Sequence, residues 1–246
     1  LPLQAGQALN VVPDKATYAG YRLEELLPVL DQSGVQYSQT EDFVTVLGVS
    51  KHSKDAAEGV NAIVGLAESL SLIQPHPALL FIADAVGEDA TGEALFGPIT
   101  DEPSGDLSFN LATLVIDQEQ SEIGIDIRIP VLADKEDLVA RLQEIAASYQ
   151  LEYEEFDYLA PLYVPLDSPL VSSLMAVYQE ETGDKTPAMS SGGATFARTM
   201  ENCVAFGALF PGAEQTEHQA NERAKIDDLY AAMEIYREAI QRLATT

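Results

Sequence analysis

The sequence predicts an α+β fold for residues 1–160, with helices packed on an antiparallel or mixed sheet, joined to a partial α/β domain over residues 161–246. Three observations lead there. Strand-like runs with period-two alternation interleave with apolar stripes at helical spacing through the first part. Two adjacent runs, Leu107–Ile116 and Glu122–Pro130, pattern as an antiparallel hairpin. The second part carries one strand-like run and two helices, which is little for an independent α/β domain. It is therefore expected to complete a sheet whose other strands lie elsewhere.

In chain order, Leu3 to Val12 reads as a strand ending at Pro13-Asp14. Leu23, Leu26, Leu27 and Leu30 form a helical stripe that Gly34 closes. Val35–Gln39 and Phe43–Val49 read as short strands around a Thr-Glu-Asp turn. Val60, Ile63, Leu66 and Leu70 mark the next helix, and Pro75 opens another helical stretch. Gly87–Asp106, rich in Gly, Asp, Glu and Pro, is predicted to be irregular. In the second hairpin strand, isoleucines 123, 125, 127 and 129 share one face, leaving Gly124, Asp126 and Arg128 on the other. Leu138, Leu142, Ile145 and Tyr149 give a further helix, and a strand is expected near Leu151–Tyr158. Beyond it come a helix near Ser168–Thr182, a Ser-Gly-Gly segment, a strand through Cys203–Phe210 and a loop. In the terminal helix, Ile226, Leu229, Met233, Tyr236, Ile240 and Leu243 step by three and four, with Asp227 and Asp228 in the first turn where the helix dipole favours them.

Composition narrows the function. The chain has 40 acidic against 13 basic residues and a net charge of −27. Nucleic acid and anionic membrane surfaces bind through Lys and Arg, so both are poor partners. One cysteine, Cys203, excludes an intrachain disulfide and a CxxC zinc site. No apolar run is long enough to span a bilayer. The start, Leu1-Pro2-Leu3-Gln4, lacks a basic and apolar leader pattern and reads as the interior of a longer chain.

Three histidines are present. His218 lies in a polar loop between the Cys203–Phe210 run and the terminal helix, a place where catalytic groups collect. Its spacing alone still favours a surface histidine. His52 sits in a turn between a strand and a helix, and His76 between two prolines at a helix start. Arg128 could grip a carboxylate with two parallel hydrogen bonds, or equally form an ordinary ion pair with neighbouring Asp126. Ser190 to Thr195 could present backbone N–H groups to an anion, although a plain turn is the better reading in isolation. No HExxH, GxSxG or EF-hand pattern occurs.

Taken together these pieces resemble a known family. The stretch Met189-Ser190-Ser191-Gly192-Gly193-Ala194-Thr195-Phe196-Ala197-Arg198 continues through Asn202-Cys203-Val204-Ala205-Phe206-Gly207 to Phe210-Pro211-Gly212 and His218-Gln219-Ala220-Asn221-Glu222. Upstream stand Leu9-Asn10-Val11-Val12-Pro13-Asp14, Lys51-His52-Ser53 and Asp126-Ile127-Arg128-Ile129-Pro130. In this order they resemble the zinc metallopeptidase family of carnosinase, aminoacylase and the bacterial dipeptidases of the dipeptidase V type. The resemblance implies that residues 1–160 are a two-lobed lid domain and residues 161–246 the C-terminal part of the catalytic domain.

The same resemblance implies a role for each matching residue. His218 would be a terminal ligand to one ion of a two-zinc centre. His52 would donate a hydrogen bond to the oxyanion of the tetrahedral intermediate, and Asn10 would hold the substrate backbone or the same oxyanion. Arg128, with backbone N–H groups of Ser191, Gly192 and Gly193, would bind the free C-terminal carboxylate of a dipeptide. It also implies a cytoplasmic monomer. The family's N-terminal half supplies an HxD motif, a bridging Asp and a Glu-Glu pair, and none stands here in the required place. Glu24-Glu25, Glu154-Glu155 and Glu180-Glu181 read as solvated charges. The expectation is a chain that lacks the N-terminal catalytic segment, binds zinc weakly or not at all, and hydrolyses nothing alone. Two other readings stand beside it: a non-catalytic binder of peptides or carboxylates, and a desuccinylase- or aminoacylase-like amide hydrolase.

Overall fold

The structure is a computed structural model that describes residues 2–191, 195–207, 209–214, 216 and 221–245. The chain is a mixed α/β protein with small antiparallel sheets and several helices, and it divides into two units, Leu1–Leu159 and Ala160–Thr246.

In the first unit, β1 (Leu3–Ala5) stops early, against the expectation of a strand through Val12. Gly6 is the reason. It takes φ 79°, and a Cβ there would lie 1.9 Å from the Ala112 carbonyl oxygen. Only a glycine can pass so close to the neighbouring strand and turn away. The chain returns as β2 (Lys15–Tyr18), a strand too short for the sequence pattern to expose. Helix α1 (Leu23–Ser33) follows and ends at Gly34 in the left-handed region, as its stripe predicts. The strands β3 (Tyr37–Gln39) and β4 (Val44–Leu47) then pair, and β4 lies between β2 and β3 in an antiparallel sheet.

A 3-10 turn, Ser53–Glu58, leads to α2 (Ala62–Ser71), which is buried on nearly every face. A helix apolar all round belongs at the centre of a core, and α2 packs against β2, β4 and the long strand Ser108–Ile116. Asn61 fixes it at both ends of its own side chain. Its Oδ1 accepts from the N–H groups of Ile63 and Val64, while its Nδ2 donates to the Leu111 carbonyl at 2.6 Å. Pro77 opens α3 (Pro77–Leu80), and a π turn, Phe81–Val86, extends it.

The stretch expected to be irregular holds short elements: α4 (Glu93–Phe96) and the two-stranded ribbon β5 (Thr100–Asp101) with β6 (Gly105–Asp106). Asp101 ties this ribbon down, accepting from the N–H groups of Ser104 and Leu132. The predicted hairpin is β7 (Ser108–Ile116) with β8 (Ser121–Arg128), and β1 flanks the other side of β7. Ile123, Ile125, Ile127 and Ile129 pack against the core, as their alternation requires. Helix α5 (Lys135–Ser148) closes the unit with Asp134 as its N-cap.

The strand expected near Leu151–Tyr158 is absent: this segment joins no ladder. Side chains hold it instead. The Lys135 ammonium pairs with Glu155 at 2.8 Å and lies 4.0 Å from the Tyr158 ring centre. Alternating apolar residues make a strand only where an edge is available to pair with.

In the second unit, α6 (Pro169–Thr182) starts at Ser168 and packs on α7 (Ile226–Ala244) through Leu174, Val177, Ile235 and Ala239. Arg242 and Glu180 pair at 2.6 Å between these helices. The expected strand Cys203–Phe210 is not one among its described residues, which leave out Ala208. Val204, Phe206 and Phe210 instead pack on the two helices, and the Tyr236 hydroxyl donates to the Phe206 carbonyl. Ile226, Leu229, Met233 and Ile240 form an exposed apolar stripe on α7.

Candidate functional site

At the end of β8, the two-residue period puts Asp126 and Arg128 on one face. The Arg128 Nη2 donates to Asp126 Oδ2 at 2.8 Å, so the ion pair named as one alternative does form. It is not isolated. Ser53 Oγ donates to the same Asp126 oxygen at 2.7 Å and accepts from Arg128 Nη2 at 3.2 Å. The Arg128 side chain keeps 41% of its exposure while Asp126 keeps 15%, so the carboxylate is covered and the guanidinium reaches solvent. The Arg128 Nε is buried and has no partner among the described residues.

Ser53 is fully buried and opens the 3-10 turn that follows His52. Its N–H donates to the Asn10 carbonyl at 2.9 Å, and its carbonyl accepts from the Ser108 hydroxyl. Val11 and His52 form an antiparallel bridge, and the Val12 N–H donates to the Lys51 carbonyl at 2.8 Å. The backbone on either side of Asn10 is held from the sheet as well. Asn110, 1% exposed on β7, donates through Nδ2 to the carbonyls of Leu9 and Val11 at 2.8 and 3.0 Å. Thus the Asn10 backbone carbonyl, His52 as the chain neighbour of Ser53, and the Arg128 guanidinium, far apart in sequence, are gathered at one buried serine.

His52 is exposed and its Nδ1 accepts from the Lys54 N–H at 3.2 Å. An imidazole whose Nδ1 accepts carries its proton on Nε2, and that edge is then a donor. The nearby lysines are already engaged. Lys51 pairs with Glu58 at 2.8 Å, a hydrogen bond that raises the ammonium pKa, and Lys54 pairs with Asp55 at 2.7 Å. The described donors open to solvent here are the Arg128 guanidinium and the His52 Nε2 edge.

Ser53 and Asn110 are contributors that sequence reading passed over, whereas the pairing of Asp126 with Arg128 was one of its alternatives. For Asn110 a signal existed, an amide inside the apolar run Phe109-Asn110-Leu111. For Ser53 none did.

His76 has no place at this site. Its Nδ1 accepts from the Ala78 N–H as a helix cap, and burial lowers its pKa. In the second unit Ser191 is exposed, while Gly192, Gly193 and His218 lie outside the described residues. Downstream, Thr216 Oγ1 accepts from the Arg223 N–H and donates to its carbonyl, and Arg223 pairs with Glu214 at 2.7 Å. Among the described residues, no three His, Cys, Asp or Glu side chains cluster to hold a metal ion. A catalytic zinc ordinarily takes three protein ligands, so the described residues alone do not fit one. No helix of the described residues is long and apolar enough to cross a membrane.

Comparison with known proteins places the chain in a family. The profile of peptidase family M20/M25/M40 matches residues 16–242. The chain is 34% identical over 256 residues to a Bacillus subtilis (strain 168) protein named Putative dipeptidase YtjP, covering 98% of this chain and 55% of that one. Proteins named as putative dipeptidases from Staphylococcus haemolyticus and Staphylococcus saprophyticus are 29% and 30% identical, covering 99% and 97% of this chain and 55% and 54% of theirs. The chain thus spans about half the length of the curated relatives it matches.

Proposed function

The chain belongs to peptidase family M20/M25/M40, and from that membership we propose that it is the substrate-gripping part of a metal-dependent dipeptidase. Members of the family generally use metal ions, typically zinc. The observation that carries the reading is the meeting of Asn10, His52 and Arg128 around Ser53. Arg128 anchors the free C-terminal carboxylate of a dipeptide. Its guanidinium, shared with Asp126 but still open to solvent, retains donors for that second carboxylate. His52 donates from Nε2 to the oxygen on which negative charge develops, and Asn10 steadies the peptide backbone beside it. Fixed donors of this kind act where charge grows during the reaction, which is where they lower the barrier.

Two further parts complete the proposal. Residues 1–160 serve as a lid domain, and residues 161–246 belong to a catalytic domain whose remainder lies in the portion of the relatives that this chain does not span. The exposed stripe Ile226, Leu229, Met233 and Ile240 on α7 supports this, because apolar surface of that extent ordinarily has a cover. His218 is assigned from its motif as a metal ligand, and Ser191, Gly192 and Gly193 as backbone donors to the carboxylate. The remaining ligands, and the two zinc ions, would come with that missing portion. The chain by itself is proposed to be inactive, and the whole protein to act as a cytoplasmic monomer.

The test is turnover by the full-length protein on dipeptides and on N-acyl amino acids. Dipeptides should be the better substrates, and His52→Ala should lower kcat by about 10²–10³-fold, the scale for one oxyanion donor, with metal content unchanged. Turnover of N-acyl amino acids in preference to dipeptides, or wild-type kcat in the variant, contradicts the reading.

A further inference from the structure

We propose that Ser53 is a positioning residue that sets the aim of Arg128 and couples it to the backbone carrying Asn10 and His52. The inference rests on the reading of Arg128 as the carboxylate anchor. It adds a residue to which neither the resemblance nor the relatives assign a role.

Every hydrogen-bonding group of Ser53 is used, and each in a different direction. The N–H holds the Asn10 carbonyl, the carbonyl takes the Ser108 hydroxyl, and Oγ joins Asp126 to Arg128. The side chain is fully buried, which limits the competition of water for these bonds. An arginine side chain has several freely rotating bonds, and one ion pair to Asp126 leaves it free to swing about that contact. A second contact on the same Nη2, from a hydroxyl fixed in the turn after His52, removes that freedom. The serine therefore fixes the guanidinium relative to His52. Geometry of this kind matters because a grip on one end of a substrate speeds reaction at the other only if both are held in register. Removing the hydroxyl also leaves one Asp126 hydrogen bond unmade in a covered place, which loosens the pair further.

The experiment uses the full-length protein and compares kcat/KM for a dipeptide with that for the same dipeptide amidated at its C-terminus. Wild type should prefer the free acid, and Arg128→Ala should abolish the preference. Ser53→Ala should reduce the preference by about tenfold, the effect of losing one hydrogen bond to a charged group, while the amide is turned over within about twofold of wild type. In the Arg128→Ala background, Ser53→Ala should leave the acid-to-amide ratio where it is. A merely structural serine would depress both substrates alike in either background. Ser53→Cys, which keeps the volume but only a weak donor, is the second variant and should behave as Ser53→Ala does.

Absence of acid preference in wild type, or its survival in Arg128→Ala, defeats the carboxylate reading and not the serine alone. An Arg128-dependent preference that Ser53→Ala leaves intact, or an equal loss on both substrates, overturns the positioning role. Unfolding of both serine variants assigns Ser53 to stability and overturns it as well.

Discussion

The two units bury their apolar residues in opposite styles. In the first, α2 sits at the centre of a closed core, with Leu66, Leu70, Leu111 and Leu114 essentially inaccessible. In the second, two helices share a thin seam of Leu174, Val177, Ile235 and Ala239, while an equally apolar stripe of α7 stays exposed. Hydrophobic stabilisation scales with area removed from water. The difference is that the first unit closes a core of its own, whereas the described residues of the second leave the α7 stripe uncovered. Of the candidate residues, Asn10, His52, Ser53 and Arg128 all lie in the first unit.

The largest test of that contrast is cavity formation. Leu114→Ala in β7 should cost about 2–5 kcal/mol in denaturant unfolding, the range for a buried leucine with no room to collapse. Leu174→Ala, 8% exposed in the thin seam, should cost about 2 kcal/mol or less because its surroundings can close. Equal costs would break the comparison.

Helix caps sharpen it at a smaller scale. Asn61 both caps α2 and donates to the Leu111 carbonyl of β7, so Asn61→Ala removes the cap and strands a strand carbonyl. Thermal unfolding should show a loss of about 1–3 kcal/mol. Ser168 caps α6 by accepting the Val171 N–H, and Ser168→Ala should cost about 1 kcal/mol. A serine cap worth as much as the asparagine would mean that α6 is tied more firmly than its contacts indicate.

The smallest effect is electrostatic. Burial, and then the like charge of Glu88, raises the pKa of Glu68 on α2. The native state thus holds that proton more tightly than the unfolded chain does. Its contribution is favourable at low pH and is lost as pH rises through the raised value. Glu68→Gln should therefore be more stable than wild type at neutral pH, with the gap closing below about pH 4, where an ordinary glutamate is protonated. A gap that widens towards acid would mean the carboxylate is stabilised as an anion.

The sequence made the helices legible where local chemistry is complete: the leucine stripe closed by Gly34, the apolar run of α2, and the three-and-four stepping of α7. The alternating isoleucines likewise placed Arg128 on the face away from the core. Strand ends were harder, because Gly6 is a turn only on account of Ala112, and the 151–158 segment lacks a partner edge. The site's three outward residues could be named from their motifs. Its centre could not, because Ser53 meets Asp126 and Arg128 across more than seventy positions of chain, and no local pattern records such a pair.

The central claim is that the guanidinium at the end of β8 reads a substrate's terminal carboxylate. The most direct measurement is kcat/KM of the full-length protein for one dipeptide against its C-terminal amide, before and after Arg128→Ala. The expected preference for the acid is about a hundredfold, the value of two charge-assisted hydrogen bonds, and it disappears in the variant. An amide turned over as readily as the acid by the unaltered protein would contradict it.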